Sequence, residues 1–202
     1  MHVDENWYQH GDLEYDITID RELAEACVVG SQEAGINSKA VDYDGFPIDS
    51  GSIVMANSLD PQHRYRYVLA SNNVYHDPAM TEKIAAMAVS KAHQLGRRVA
   101  VVGIGGLSGT IFRHRIELRE DRIATDADDR MNRKLLSLLK SGNTADVKGY
   151  VGEYATAAKA DMGMNHLSRV LGAIGDRYTG ADVLGYGPVY GSGQAVVQFR
   201  LR

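Results

Sequence analysis

Cysteine is nearly absent from the chain: Cys27 is the single one in 202 residues. One thiol excludes an internal disulfide and fits a reducing compartment. Basic runs are equally scarce, none exceeding two residues. Lys and Arg total 22 against 26 Asp and Glu, a formal charge of -4. A protein that neutralises nucleic-acid phosphates needs a cationic stripe, so no nucleic-acid partner is expected. No apolar stretch approaches the roughly 18 residues that cross a bilayer, so no membrane is expected. The opening MHVDENW is acidic and lacks the basic and apolar regions of a secretory signal. A cytoplasmic protein is the expectation.

What is present is the material of a core. Hydrophobic residues make up 44% and charged residues 24%, an ordinary globular balance. The length suits one domain over residues 1–202. Asp20 is placed to cap a helix over Arg21–Ala34, stopped by Gly35. Ile36–Tyr43 reads as a strand ending at the turn signal Asp44-Gly45-Phe46-Pro47. Asp49 or Ser50 could cap a short helix through Met55, and Tyr65–Ser71 reads as a buried strand. Asp77-Pro78 opens a helix that runs toward Gly96, with Pro where its missing N–H costs nothing. Arg98–Ile104 (RVAVVGI) is apolar and β-branched, the pattern of a strand buried on both faces. Helices follow over Ala127–Lys140, Thr144–Ala160 and Met164–Ile174. Asp182–Tyr186 and Ala195–Leu201 read as closing strands across a Gly-rich connection. Strands alternating with helices imply an α/β fold, a mixed central β-sheet flanked by helices.

Two glycine groups adjoin apolar runs: Gly103, Gly105, Gly106 and Gly109, then Gly185, Gly187, Gly191 and Gly193. GIGGLSG does not match a dinucleotide fingerprint, because Ser108 stands at the sixth position and Ile111–Glu120 is too charged for the required helix. There is no G-K-[ST], and Thr110 breaks the serine-esterase elbow. The segment reads as a tight turn at the sheet's edge. A pocket at the carboxyl ends of the strands is the other reading. None of the seven histidines forms a convincing metal-ligand pair. His166, near Asp161 in an apolar stretch, reads as a satisfied core or interface residue. Asp126, Asp128 and Asp129 fit a solvated helix start, with cation binding as the alternative. Tyr186 and Tyr190, beside the last glycines, suit a wet pocket, a subunit interface or a core edge.

Several strings, in order, carry more than these motifs. They are HVDENWY (His2–Tyr8), YDGFPID (Tyr43–Asp49), ASNNVYH (Ala70–His76), VVGIGGLSG (Val101–Gly109), REDRIA (Arg119–Ala124), DMGMNHL (Asp161–Leu167) and LGYGPVYGSGQAVVQF (Leu184–Phe199). Together they resemble the class III extradiol ring-cleavage dioxygenases, most closely the alpha-type subunits of the branch that opens 2-aminophenol.

The resemblance implies non-haem Fe(II) chemistry on a facial triad of two His and one carboxylate, with a further His as acid/base. The family section that carries both iron-binding His would precede His2. A sheet short of that section would expose an edge. The acid/base His would fall where this chain has Ser108, Gly109 and Thr110. The carboxylate would fall near Asp161, with Glu153 further off as a helix-surface acid. The resemblance therefore implies no catalytic residue, no metal ligand and no cofactor in this chain. Fe(II) would sit in a catalytic beta-type partner subunit, in a two-plus-two heterotetramer. A remnant pocket would be lined by Asn72, Asn73, Tyr75, Ser108, Gly109, Asp161 and His166. Two alternatives stand beside this: an active iron dioxygenase using His10, His166 and Asp161, or a small-ligand module at the Gly103–Gly109 edge.

Overall fold

The computed structural model describes residues 15–42, 48–71 and 77–202. By its internal contacts the chain forms two compact units, one within 15–71 plus 87–100 and the other within 77–86 plus 101–202.

In the first unit, short polar side chains start the helices. Asp20 Oδ1 accepts the Leu23 amide at 3.1 Å, opening α1 (Arg21–Glu33). Its other oxygen accepts from Arg97 Nε at 3.0 Å, and Arg97 also reaches Glu22 at 2.6 Å. The Leu23 amide and the Arg97 guanidinium hold the Asp20 carboxyl below its ordinary range. Asp49 accepts the Ser52 amide at 2.8 Å and starts α2 (Ser50–Leu59), which runs past the expected end at Met55. The buried Asp60 carboxylate then accepts the amides of Arg64 and Tyr65, each at 2.9 Å. That turn delivers β2 (Arg66–Tyr67), which pairs in parallel with β1 (Thr18–Ile19), Thr18 facing Arg66 and Ile19 facing Tyr67. Helix α3 (Pro78–Gln94), of which residues 78–86 belong to the second unit and 87–94 to the first, begins at its proline as expected and ends before Gly96, whose φ is +69°.

The second unit is built on α4 (Asp126–Ser141), α5 (Thr144–Ala157), α6 (Asn165–Ile174) and the antiparallel hairpin of β3 (Tyr178–Val189) and β4 (Ser192–Leu201). Thr125 Oγ1 accepts the Asp128 amide at 3.0 Å and donates to the Asp128 carboxylate at 2.8 Å. Together these bonds fix the start of α4. Its apolar stripe of Leu135, Leu136 and Leu139 meets Val147, Val151 and Tyr154 of α5, with Leu167, Leu171 and Ile174 of α6 in the same core. The inner hairpin face, with Ala181, Val183, Val197 and Phe199, closes it. The hairpin loop is only Tyr190-Gly191, with φ +54° and +94°, as a tight two-residue turn of matching twist requires. The Asp121 carboxylate accepts both amides of that turn, at 2.7 and 2.9 Å, and offsets the cost of a left-handed tyrosine.

The expected α/β class holds, with parallel and antiparallel pairing both present in two small sheets. The strands differ in extent. Residues 36–42 form no strand, and Tyr65–Ser71 pairs only at Arg66–Tyr67. Arg98–Ile104 has no strand partner among the described residues, and Val99, Val101 and Val102 are exposed. A β-branched run supplies propensity, but only a neighbouring strand supplies the ladder. The hairpin errs the other way: two of the glycines read as a connection lie inside the strands, Gly187 facing Gln194 and Gly193 facing Pro188. None of the described helices is long and apolar enough to cross a membrane.

Candidate functional site

Of the residues expected to line a pocket, Asn72, Asn73 and Tyr75 lie outside the described residues, as does His10. Ser108, Gly109, Asp161 and His166 all lie in the second unit, where backbone hydrogen bonds hold residues 103–109 on both sides. On one side the Leu107 amide donates to Gly193 O at 2.8 Å, and the Gly193 amide donates to Ser108 O at 3.0 Å. On the other, the Gly109 amide donates to Ala158 O at 3.0 Å, and the Asp161 amide donates to Leu107 O at 3.2 Å. The Asp161 carboxylate accepts the Gly106 amide at 3.0 Å.

The glycines are what let this segment lie so close. A β-carbon at Gly105 would fall on the His166 imidazole, and one at Gly109 on the Lys159 carbonyl. Lys159, Met162, Gly163 and Met164 have φ of 49°, 46°, 59° and 65°. Left-handed backbone costs a non-glycine residue roughly 1–2 kcal/mol. The strain is offset by packing, since the kink drives Met164 into the core; full burial of a Met side chain contributes about 1.5–3 kcal/mol. The same kink sets Asp161 and His166 beside the turn.

His166 is 8% exposed, and its Nδ1 has no hydrogen-bond partner. Burial pushes the imidazole below its ordinary value, and the nearby Asp161 charge opposes the shift. Ser108 is also buried, but its hydroxyl is partnered. Its hydroxyl oxygen accepts from Asn132 Nδ2 at 2.9 Å and from the Gly193 amide at 3.1 Å. Asn132 also donates to the Tyr186 hydroxyl at 3.2 Å and accepts from the Tyr154 hydroxyl at 2.6 Å. Tyr186 donates to Asp129 at 2.6 Å, and Asp129 pairs with Arg133 at 2.8 Å. Burial pushes the Tyr186 phenol up to about 12 and raises Tyr154 as well. Arg133 and Tyr186 hold the Asp129 carboxyl below its ordinary range. The carboxylates of Asp128 and Asp129 are thus engaged within the fold.

Sequence reasoning missed Asn132 and Tyr154. A faint signal existed for Asn132, a polar residue at core spacing from Leu135, Leu136 and Leu139 on α4. It also missed a shallow groove of about 390 Å³ in the first unit, lined by Tyr15, Asp16, Asn57, Pro61 and His63. There His63 has φ +49°, and its Nδ1 lies 2.9 Å from the Asp16 carbonyl.

A family model described as the catalytic LigB subunit of aromatic ring-opening dioxygenase matches residues 4–197. The chain belongs to this family of ring-opening dioxygenases. It is 44% identical over 202 residues to the 2-aminophenol 1,6-dioxygenase alpha subunit of Pseudomonas sp, covering 100% of this chain and 74% of that one. It is 25% identical over 200 residues to the beta subunit of 2-aminophenol 1,6-dioxygenase from Pseudomonas sp, covering 94% of this chain and 66% of that one. It is 24% identical over 172 residues to 3,4-dihydroxyphenylacetate 2,3-dioxygenase of Escherichia coli, covering 84% and 62%. The chain therefore spans about three quarters of the first relative's length and just under two thirds of the other two.

The family's catalytic subunits use non-haem iron, which requires convergent imidazole and carboxylate ligands with open positions. The described residues do not fit it. They contain no group of three His, Cys, Asp or Glu that could hold a metal. His166 turns Nδ1 against Gly105, and Asp161 accepts the Gly106 amide. The surroundings of Ser108 and His166 are close-packed and hydrogen-bonded, an arrangement suited to holding two strands and two helices in place.

Proposed function

We propose that this chain is the non-catalytic, alpha-type subunit of an extradiol dioxygenase that opens the ring of 2-aminophenol or a substituted relative. It acts as one extradiol-dioxygenase-like domain over residues 1–202, in the cytoplasm. It supports a beta-type subunit that holds the Fe(II), in a two-plus-two assembly, and carries no cofactor of its own. The observation that carries this reading is the contrast in likeness: 44% identity to an alpha subunit across all 202 residues, against 25% to a beta subunit.

The geometry supports it in a second way. A ring-cleaving site must leave room for a substrate, an oxygen molecule and a proton-transfer group. Here the position where the family's acid/base His would fall is taken by Ser108 and Gly109, which are bonded to Asn132, Gly193 and Ala158.

The test is to incubate the purified chain anaerobically with Fe(II), remove the excess and measure iron, alone and after co-expression with a beta-type subunit. The expected result is iron and 2-aminophenol-dependent oxygen uptake only in the co-purified complex. Stoichiometric iron and ring cleavage by the isolated chain would overturn the reading.

A further inference from the structure

Residues 110–124 run from the Gly109 turn toward α4 with no regular structure beyond a single 3-10 turn at Leu118–Glu120. An irregular connection of that length is uncommon in a compact domain unless it carries a function. This one is braced at both ends. The Phe112 amide donates to Tyr190 O at 3.1 Å, and the Ala124 amide donates to Gly191 O at 2.8 Å. The Asp121 carboxylate accepts the two amides of the same hairpin turn, and the Tyr190 hydroxyl donates to the His114 carbonyl at 2.7 Å. The Phe112 ring meets Tyr190 edge-on, with the Arg122 guanidinium 5.2 Å from its centroid.

The fold makes no use of what these braces hold out. Leu118 is 90% exposed, more than any other large hydrophobic residue among those described. A single exposed leucine is ordinary, but this one stands among cations. Arg113, Arg115 and Arg119 are exposed, and none has a carboxylate partner among the described residues. Of the acids in the segment, Asp121 is spent on the hairpin turn, which leaves Glu117 and Glu120 against the guanidiniums of Arg113, Arg115, Arg119 and Arg122. The loop is therefore cationic on a chain whose formal charge is -4.

We propose that this loop docks the beta-type subunit, with Leu118 entering an apolar socket bordered by carboxylates. The proposal rests on the subunit reading above and adds the surface through which the chain would act. Guanidiniums fork onto carboxylates through two parallel hydrogen bonds. Arginine is enriched at the centre of protein interfaces, where a few desolvated anchors carry most of the binding energy. Bracing the loop before contact lowers the entropy lost on docking. A nucleic acid fits the loop poorly, because Glu117 and Glu120 would face its phosphates and Leu118 would stay in water. A carboxylate-bordered apolar socket satisfies the arginines and the leucine together.

The test is the affinity of the full chain for an immobilised beta-type subunit, read as association and dissociation rates at low and at high ionic strength. Leu118→Asp should weaken the complex more than about tenfold. Arg115→Glu and Arg119→Glu should each slow association and flatten its salt dependence. The Tm of the isolated chain should hold in all three variants, since the side chains are exposed. Leu59→Asp, at an exposed leucine of α2, should leave the affinity unchanged. Wild-type affinity in Leu118→Asp and in both arginine variants overturns the proposal while leaving the subunit reading intact. So does a loss in Leu59→Asp as large as that in Leu118→Asp. A wild type that captures no beta-type subunit overturns the subunit reading and this proposal with it.

Discussion

At Gly105 and Gly109 an added β-carbon would strike His166 and Lys159; at Gly185 and Gly187 it would meet nothing. The two glycine-rich segments look alike as sequence, each beside a β-branched apolar run. In the first, glycine is demanded from inside, by a segment bonded to β4 on one side and to the α5–α6 junction on the other. In the second, the fold itself makes no such demand. Glycine content alone therefore does not mark a ligand loop: where the family resemblance suggests a pocket, glycine brings about its closure.

The largest effect is expected from Gly105→Val. Overpacking a site with no room costs about 3 kcal/mol, which for a chain of this length is a fall in Tm of roughly 6–12 °C. His166→Ala in the same chain should recover a large part of that loss. Thermal unfolding of the two single variants and the double variant measures the coupling, and additive effects would place the strain elsewhere.

Asn132→Leu comes next. It leaves the buried Tyr154 hydroxyl without its acceptor and removes one donor to Ser108. Stranding a buried polar group costs about 1–3 kcal/mol. Urea unfolding should show the midpoint shift at unchanged slope, and Tyr154→Phe should give a similar loss by orphaning the Asn132 carbonyl.

A smaller effect depends on pH. Burial holds folded His166 below its ordinary value of 6.5, so the unfolded chain takes up a proton that the folded chain refuses. Stability is complete above about pH 6.5 and declines as the pH falls through that value, until the folded imidazole itself protonates. His166→Leu should flatten the dependence of Tm on pH between about 5 and 7. An unchanged slope would assign it to other groups.

How much of this was legible beforehand follows from the range of the interactions. The caps at Asp20 and Asp49 and the proline start at Pro78 are written within four residues of the bonds they make. Arg98–Ile104 misled because a strand needs a neighbour and its sequence cannot name one. The left-handed run through Met162 and Met164 is invisible because methionine gives no warning of positive φ; only the buried place for Met164 explains it. The proximity of Ser108, Asp161 and His166 came from family likeness, not from spacing. The Asn132 network joins residues 22 to 54 positions apart, beyond the reach of any local pattern.

The smallest expected effect falls on the other glycine segment. Gly185→Ala and Gly187→Ala add a methyl group to open space at ordinary backbone angles. Surface substitutions of that kind stay within about 0.5 kcal/mol, and alanine removes some unfolded-chain freedom, so a slight gain is expected. Thermal unfolding at low protein concentration isolates this from any association. A Tm unchanged or raised by a degree or two, beside the large fall at Gly105→Val, would separate a glycine required by its own core from one that the core does not require. A fall of comparable size would mean that the hairpin needs these glycines for its own twist.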